Sequence, residues 1–329
     1  MRRALILSTS LTARAMTTTA KIAVDGTAKS APFAVAIETG AEPSHLTSKE
    51  WLAKTPFAAY TTARTHQGKL FEWSTHVDRT AATILAMDPT PPARSLAEHG
   101  GPFFRARLDG AAAAAISTYR ALQGDAGEVK VTILVSWDEE KCSVAAHAGP
   151  LPPLPARPVR VEVRGEGRAN AAAKDSGWVA ERAPLEKLMA AAEVGPVNEL
   201  LLKDYQGRIL EGSQTNFYAV VAGKLVTAGD DILKGTVRRL AIEVCEREGI
   251  PVVLEPPDLD NVADWDGCLI SSTSRLMLPI DELYKPAEGA PATAGDLLRT
   301  FDNGPDSLAA RLQALVASEV EAHSEAVAF

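Results

Sequence analysis

The chain has 329 residues, of which 46% are hydrophobic and 23% charged, and its formal net charge is −8. The size and composition are ordinary for a globular protein with one or two packed cores. The acidic balance argues against a general nucleic-acid-binding surface, and no apolar run reaches the ~18–20 residues that a membrane helix needs, so we expect neither nucleic acid nor a membrane as a partner.

The N-terminal segment differs in composition from the rest of the chain. Its first 24 residues contain no Asp or Glu and carry Arg2, Arg3, Arg14 and Lys21. This composition is typical of an organelle transit peptide, and a frayed terminus is the alternative. We interpret residues 1–30 as a disordered or transit segment. The transit interpretation predicts a plastid or mitochondrial protein, and otherwise a cytoplasmic one.

Residues 31–147 predict a small N-terminal domain of mixed helices and strands. Two strand-like segments flank the turn residues Gln67 and Gly68, a pattern typical of a hairpin. Thr75 can cap the helix that follows. The predicted elements are strands over 60–65, 69–74 and 129–137 and helices over 75–87 and 105–123.

A proline-rich stretch, AGPLPPLPARP (148–158), indicates a stiff linker, because proline fixes the backbone angle φ and has no main-chain N–H to donate a hydrogen bond. We therefore predict a domain boundary there and a larger C-terminal domain over 159–329. Its predicted elements are strands over 159–165, 199–204, 215–221, 251–256 and 267–273, a hairpin over 222–229, a helix over 235–249 and one long amphipathic helix over 306–329. The fold class is α+β, with a mainly antiparallel sheet or barrel core in the second domain.

Common catalytic motifs are absent from the sequence. There is no GxGxxG, no P-loop lysine motif and no GxSxG elbow. The six histidines show no metal-ligand spacing, and Cys142, Cys245 and Cys268 form no CxxC pair, so we expect neither a metal site nor a disulfide framework.

Lys174 and Glu211 are the first candidates for chemistry. Lys174 follows three alanines in AAAKDSGW. Burial among small residues lowers the pKa of a lysine and makes it a nucleophile, although a solvated surface lysine is the alternative. Glu211 is a single carboxylate between strand-like segments in ILEGSQTNFY.

Other segments could hold a phosphate. Gly235 precedes a helix, whose first free N–H groups, on Thr236 and Val237, suit an anion. The hydroxyls of SSTS (271–274) and the guanidinium of Arg79 are also suitable ligands. Each feature has an ordinary alternative: a helix junction, a turn or a surface arginine.

In their order along the chain these segments resemble the fold-type IV pyridoxal-phosphate (PLP) enzymes. This class IV aminotransferase family includes branched-chain and D-amino-acid aminotransferases and aminodeoxychorismate lyase. LEGSQTNFYAV is similar to the E-G-x-x-[ST]-N-[FL] segment, and ILKGTVRR to L-x-G-[IV]-T-R with the Thr and Val order changed. LISSTSRLMLPI is similar to the strand–S/T-x-T–strand–P segment, and YTTARTHQGKLFEWSTHVDR to the hairpin followed by H-[ILV]-x-R. The resemblance runs from about Tyr60 to about Pro279 and implies the two-domain D-amino-acid aminotransferase-like fold.

The resemblance also implies residue roles. Lys174 would hold PLP as a Schiff base and later move a proton, and Glu211 would pair with the pyridinium nitrogen. The implied phosphate ligands are Arg79, the amides of Thr236 and Val237, and the hydroxyl of Thr273 with help from Ser272. Leu233 would pack on the ring, Asn216 would support the wall beside it, and Tyr60 would lie near the substrate.

The sequence departs from the family pattern next to the lysine. DSGWV follows Lys174, where branched-chain enzymes have a glycine-rich run ending in Asn-Tyr and the lyases favour Asn-Arg. The Arg and His that D-amino-acid enzymes use on the substrate carboxylate have no match. We predict Arg275 as a substrate carboxylate ligand instead, with an ordinary exposed arginine as the alternative.

Three functions therefore remain open. The first is an aminotransferase acting on an amino acid and a 2-oxo acid, the second a lyase of the aminodeoxychorismate type, and the third a PLP-binding protein with altered or lost catalysis. The resemblance also implies a homodimer.

Overall fold

The computed structural model describes residues 32–37, 40–124 and 127–327. The predicted transit segment, residues 1–30, lies outside them. The elements of the N-terminal half are β1 (Phe33–Ile37), β2 (Gly40–Ser44), α1 (Ser48–Ala53), β3 (Ala59–His66), β4 (Lys69–Phe71), α2 (Trp73–Ala86), α3 (Pro91–His99), α4 (Gly101–Gln123), β5 (Val129–Trp137) and β6 (Cys142–Pro150).

The C-terminal half continues with β7 (Arg160–Glu166), α5 (Gly177–Glu181), α6 (Ala183–Ala190), β8 (Glu199–Lys203), β9 (Ile209–Gly212), β10 (Asn216–Val221), β11 (Lys224–Val226), α7 (Thr236–Arg247), β12 (Val252–Val253), β13 (Trp265–Ser272), β14 (Leu276–Pro279), β15 (Glu282–Tyr284), β16 (Leu297–Thr300), α8 (Leu308–Ser318) and β17 (Ser324–Glu325). Short 3₁₀ helices cover Leu259–Asp264 and Ala294–Asp296.

The first sheet separates an apolar face from a polar one. Within the described residues it has seven strands in the order β17-β4-β3-β5-β6-β1-β2, and every neighbouring pair is antiparallel. Side chains alternate between faces along β3. Ala59 and Ala63 are fully buried in the core that this sheet forms with α2 and α4, whereas Tyr60 and Thr62 point to the opposite face.

The second sheet is larger and carries two cores. Ten strands of the described chain form it in the order β12-β11-β10-β9-β8-β7-β15-β16, with β13 joined to β10 and β14 to β13. Most pairs are antiparallel, but β7 pairs in parallel with β8 and with β15, and β11 pairs in parallel with β12. Helices α7 and α8 cover one face through residues such as Leu240 and Leu312, and Trp265 and Phe217 lie in the core of the other. The predicted α+β class with a mainly antiparallel second sheet is confirmed.

The predicted strand over 69–74 and the helix that follows it have different limits in the structure. The strand over 69–74 ends at Phe71, and α2 begins at Trp73, two residues before the predicted cap Thr75. Glu72 separates them with a left-handed φ of 54°. Its buried carboxylate accepts hydrogen bonds from Thr75 at 2.6 Å and from His323 at 2.7 Å. These contacts hold the chain in a sharp bend that ends the strand early.

The C-terminal prediction of one helix over 306–329 is wrong for residues 319–327, and residues 328–329 lie outside the described part of the chain. Helix α8 ends there, and the chain then turns to add β17 to the edge of the first sheet beside β4. Glu325 accepts hydrogen bonds from the main-chain N–H of Ser74 at 2.7 Å and from Arg105 at 3.0 Å. Part of the region predicted as the second domain therefore completes the first sheet.

The proline-rich linker begins later than predicted, because β6 runs to Pro150 and pairs with β5 over its whole length. Residues 151–158 have no regular structure. Within the described part of the chain no helix has the length and apolar character needed to cross a membrane. The exact domain boundaries stay a prediction.

Candidate active site

A cavity of about 380 Å³ lies between the two sheets. A smaller one, about 30 Å³, adjoins it and shares Tyr60 and Lys174 with it. Of the predicted site residues, the larger cavity is lined by Tyr60, Arg79, Lys174, Leu233, Thr236, Val237, Ser272, Thr273 and Arg275. Glu211 lines the smaller one, and Asn216 lies just behind the wall. The structure therefore brings all the predicted site residues together.

Main-chain pairing fixes the position of Lys174. The N–H of Tyr60 donates to the Lys174 carbonyl at 2.9 Å, and the N–H of Ser176 donates to the Ala58 carbonyl at 2.8 Å. The segment after the alanines thus runs along β3 as a short extra bridge. The Lys174 side chain is half-buried, and its Nζ lies 4.8 Å from the centre of the Tyr60 ring.

The surroundings of Lys174 favour a neutral amine. Burial lowers its pKa from the usual lysine value, Tyr60 opposes this, and Arg79 and Arg168 lower it further. For the Tyr60 phenol, burial raises the pKa, but Lys174 and Arg182 outweigh burial, so the net shift is downward. Each of the two groups thus favours the charged form of the other.

Glu211 is a buried carboxylate held by two donors. The N–H of Leu233 donates to it at 3.0 Å and the Nε of Arg168 at 2.9 Å. Burial raises the pKa of Glu211, and the Arg168 charge and the Leu233 hydrogen bond oppose that rise. The carboxylate is aligned beside Lys174 in the smaller cavity.

Arg168 also organises the segment that leads to Lys174. Its guanidinium donates to the carbonyls of Ala171 at 2.6 Å and Ala173 at 3.0 Å, and it lies 5.6 Å from the centre of the Trp178 ring. Sequence reasoning missed this residue. The available signal was one arginine in an otherwise small-residue segment, RANAAAK, which does not by itself indicate a partner.

The start of α7 forms one end of the cavity. Gly235 precedes the helix with an extended backbone, so the amides of Thr236 and Val237 have no partner within the helix. A Cβ on Gly235 would lie 2.2 Å from Oδ1 of Asn216. Asn216 is held in place because its amide donates to the Leu233 carbonyl at 2.7 Å. Only glycine fits between this side chain and the helix start.

Arg79 and His76 extend the same end of the cavity from the first sheet. Arg79 donates to the Thr61 hydroxyl at 2.8 Å, and Nδ1 of His76 lies 2.7 Å from that hydroxyl. The other ring nitrogen of His76 lies 3.4 Å from the hydroxyl of Thr273, which is 3.2 Å from the Thr236 hydroxyl. Burial lowers the pKa of His76 well below its usual value, with Arg79 lowering it further, so the ring is neutral and connects these groups.

Comparison with known proteins identifies the family. The family model for amino-transferase class IV matches residues 58–283, which is most of the chain. This chain is a class IV aminotransferase family member. The implied resemblance to fold-type IV PLP enzymes is thereby confirmed.

Individual relatives of this class IV chain agree with the assignment. A protein of Methanocaldococcus jannaschii, named as a branched-chain-amino-acid aminotransferase, is 31% identical over 157 residues, which are 44% of this chain and 53% of that one. A similarly named protein of Rickettsia conorii is 33% identical over 86 residues, 26% of this chain and 30% of that one. The chain thus spans about half or less of the length of the curated relatives it matches.

Solved structures share the fold at low identity. The branched-chain aminotransferase of Thermoproteus uzoniensis with norvaline has a TM-score of 0.62 at 19% identity, covering 88% of this chain and 95% of that one. A fold IV transaminase from Curtobacterium pusillum has a TM-score of 0.59 at 20% identity, covering 79% and 86%. The predicted two-domain fold is confirmed.

The class IV site fits the family's cofactor, PLP. The phosphate end has a buried guanidinium, because Nε of Arg79 has no hydrogen-bond partner within the described chain and burial lowers the pKa of this group to about 10. An arriving phosphate would satisfy that atom and the free helix amides. Thr215, which lines both cavities, also has a buried hydroxyl without a partner in that part of the chain. The sequence analysis assigned Thr215 no role.

Arg275 lies in the turn between β13 and β14 and lines the larger cavity. Its guanidinium is 3.3 Å from the carboxylate of Glu199, which is buried and also accepts from the Ser213 hydroxyl at 2.7 Å. The arginine is thus half-buried and anchored, and its assignment as a substrate ligand stays a prediction. Within the described residues no cluster of His, Cys, Asp or Glu has the arrangement of a metal site.

Proposed function

We propose that the protein is a PLP-dependent aminotransferase that moves an amino group between an amino acid and a 2-oxo acid. The observation that carries the proposal is the alignment of Lys174 and Glu211 in adjoining cavities with the start of α7 at the phosphate end. These three groups would hold PLP, with Lys174 as its covalent ligand, Glu211 as the partner of the ring nitrogen and the start of α7 as the phosphate site. When bound, PLP supplies an electron sink that stabilises negative charge on the substrate's α-carbon.

The protein residues supply the remaining steps. Glu211 keeps the ring nitrogen protonated, because a carboxylate beside it favours the charged form. Lys174 would hold the cofactor through its Nζ, and the same Nζ would be the base that takes and returns the substrate's α-proton. Burial and the nearby arginines lower its pKa, which favours the unprotonated amine that both roles require. Tyr60 covers the amine on the first-sheet side and limits access of water.

The substrate carboxylate has a candidate partner in Arg275. Its guanidinium lines the cavity and keeps one edge on Glu199, so it is positioned before the substrate binds. A positioned guanidinium binds a carboxylate through two parallel hydrogen bonds. A homodimer is proposed from the family resemblance, and light scattering of the purified protein tests it.

Absorbance spectroscopy tests the proposed function. PLP added to the purified protein is expected to give a visible band that borohydride fixes on Lys174, located by peptide mass spectrometry. Addition of an amino acid should then convert the band to that of the amine form, and a 2-oxo acid should restore it. A protein that takes up no PLP would refute the proposal. Pyruvate release without an amino acceptor would favour the lyase, and uptake of PLP without reaction of any donor would favour the non-catalytic binding protein.

The N-terminal segment is proposed as a transit peptide on its composition alone. Residues 1–30 fused to a fluorescent protein should direct it to plastids or mitochondria in a plant or algal cell. Uniform cytoplasmic fluorescence would refute this part of the proposal.

A further inference from the structure

Glu72 is a buried carboxylate between β4 and α2, and the sequence motifs assign it no role. Its side chain is only 2% exposed. Its backbone has a left-handed φ of 54°, which is uncommon for a residue with a side chain. Such a conformation persists where the surrounding contacts impose it, so the contacts of Glu72 determine how the chain passes from the first sheet into α2.

The Glu72 carboxylate binds groups from three parts of the chain. One oxygen, Oε2, accepts hydrogen bonds from Arg239 of α7 at 2.5 Å and from Thr75 of α2 at 2.6 Å. The other, Oε1, lies 2.7 Å from Nδ1 of His323, which follows α8 and precedes β17. The N–H of Glu72 also donates to the His323 carbonyl at 2.7 Å. The residue therefore ties α2, α7 and the C-terminal segment together.

The ion pair between Glu72 and Arg239 connects the two sides of the phosphate end of the cavity. On the α2 side, the N–H of His76 donates to the Glu72 carbonyl at 3.0 Å, and Nδ1 of His76 lies 3.3 Å from the guanidinium of Arg79. On the α7 side, the N–H of Arg239 donates to the Gly235 carbonyl at 3.1 Å. This bond closes the first turn of α7, whose free amides are the other predicted phosphate ligands.

Helices α2 and α7 pack into different cores. Val77 and Ile84 of α2 lie in the core of the first sheet, whereas Leu240 and Val244 of α7 lie in a core of the second. Each helix is therefore held mainly by its own sheet. Within the described residues, the carboxylate of Glu72 forms the single ion pair that reaches α7 from the α2 side.

We propose that Glu72 is a positioning residue for the cofactor phosphate, which acts through Arg239 by fixing α7 against α2 and thereby the helix amides against Arg79. Glu72 lines neither cavity, so it acts through the groups that it holds. The proposal rests on the PLP site of the proposed aminotransferase, although not on the reaction that follows binding.

Paired binding measurements with PLP and pyridoxal test this role. Both aldehydes can react with Lys174, but pyridoxal has no phosphate. Glu72→Gln keeps the size of the side chain and removes its charge. It should weaken PLP binding about tenfold and change pyridoxal binding about twofold or less. Arg239→Gln should give the same pattern, and Arg239→Lys, which keeps the charge, should recover part of the PLP affinity. Absorbance titration of the full chain gives both dissociation constants.

Glu243→Gln is the matched control. Glu243 accepts from the same Arg239 guanidinium at 2.5 Å, but it belongs to α7 itself, so its loss leaves the connection to α2 intact. The ratio of the two dissociation constants should stay unchanged in this variant. An equal loss of PLP and pyridoxal binding in Glu72→Gln would overturn the positioning role, because a general weakening of the fold affects both ligands. A Glu243→Gln variant that loses as much PLP affinity as Glu72→Gln would overturn it too.

A double-mutant cycle tests the route through Arg239. Glu72→Gln combined with Arg239→Gln should weaken PLP binding no more than the stronger of the two single changes. Additive losses would refute the route. Arg239 is 42% exposed, so Arg239→Gln should fold even if Glu72→Gln does not. An unchanged PLP affinity in Arg239→Gln would by itself refute the proposal.

These measurements are independent of amino transfer. A protein that binds PLP at Lys174 but transfers no amino group would refute the proposed function, whereas a loss of PLP affinity confined to the phosphate-bearing ligand would still support the role of Glu72. Conversely, an active aminotransferase whose Glu72→Gln variant binds PLP as tightly as the wild type would refute the positioning role and leave the proposed function intact.

Discussion

The two walls of the cavity hold their polar groups by different means. On the second-sheet wall, Glu211 and Asn216 are hydrogen-bonded to the main chain of Leu233, and Gly235 packs directly against Asn216. On the first-sheet wall, the side chains of Thr62, Thr132 and Lys130 contact other side chains. The polar groups of the second-sheet wall are thus fixed by the main chain, whereas those of the first-sheet wall are side chains on regular strands that can be substituted.

This difference suggests that the two walls have different roles, one in binding the cofactor and the other in selecting the substrate. A group tied to the main chain cannot change without moving the loop that carries it, which suits the binding of a fixed cofactor. A side chain that points from a strand can be exchanged with little effect on the ladder, which suits the selection of a substrate. Changes at Glu211, Asn216 and Gly235 should therefore affect cofactor binding and the fold, and changes at Thr62, Thr132 and Lys130 should affect substrate selectivity.

The largest effect on activity is expected from a substitution of Lys174, which lines both cavities. Lys174→Ala should lower the half-reaction rate by about 10³-fold or more, because nucleophile and proton carrier are lost together. Stopped-flow absorbance measures the rate, and borohydride should fix no PLP. Lys234→Ala is the control, since Lys234 is exposed and pairs with Asp230, and this variant should remain active. A comparable loss of the half-reaction rate in both variants would show that Lys174 has no specific role in the reaction.

The next largest effect concerns pH and the charge of Glu211. Only the ionised carboxylate can keep the ring nitrogen protonated, so activity falls as pH drops through its pKa. Arg168 opposes the burial that raises this pKa. Arg168→Leu should therefore raise it and move the acidic limb of the kcat/KM profile upward by about one pH unit, equivalent to about 1.4 kcal/mol. Arg168→Lys retains the charge and should move the limb less; an unshifted limb in Arg168→Leu would contradict this role.

A methyl group at Gly235 tests how rigidly the second-sheet wall is built. Gly235→Ala places a Cβ against Asn216, which cannot yield because of its bond to the Leu233 carbonyl. We expect about 1–3 kcal/mol lower unfolding free energy and PLP binding weakened by roughly tenfold, measured by urea unfolding and PLP titration. In Gly267→Ala, on β13, the new Cβ would meet its first neighbour at an ordinary 3.5 Å, so both quantities should change little. Equal tolerance of the two changes would argue against a rigid wall.

The smallest expected effect lies on the first-sheet wall. Thr132→Val keeps the shape of the side chain and removes one hydroxyl, whose neighbour in Thr62 is 3.3 Å away. The unfolding free energy should change by about 1 kcal/mol or less, and PLP affinity should be unaffected. The same assays as for Gly235 measure both. A large loss of PLP affinity here would remove the distinction between the walls.

The difference between the two walls of the cavity also explains which site residues could be predicted from the sequence. Glu211, Thr236 and Thr273 occur in short segments whose spacing reflects local backbone geometry, so their motifs can be recognised without a fold. Lys130 gives no such signal, because VKVTILVSW is an ordinary strand pattern. Its position in the cavity depends on pairing with β3 and on Ser48 in α1. Arg168 depends in the same way on the distant Glu211.

The prediction of the fold was limited in the same way, because contacts between distant residues give no local sequence signal. Strands and helices were predicted well where a periodic pattern ends at a turn, as at Gly223 and Gly249, which both have positive φ. The tail prediction was wrong because the apolar period continues past Ser318 while contacts with the first sheet turn the chain. Among these are the hydrogen bonds of His323 with Glu72 and of Glu325 with Ser74. Such long-range contacts leave no local pattern.

The return of the chain to the first sheet has a consequence for synthesis in the cell. Strand β4 is exposed as a sheet edge until β17 pairs with it, and β17 comes from residues 324–325. During translation the N-terminal strands can form their core early, but their sheet is completed only after residues 324–325 have left the ribosome. An unpaired edge can join another strand, so the nascent protein passes through a stage in which that edge needs protection. A pause in elongation before β17 would lengthen this stage, and the synthesis of β17 would then limit the yield of folded protein.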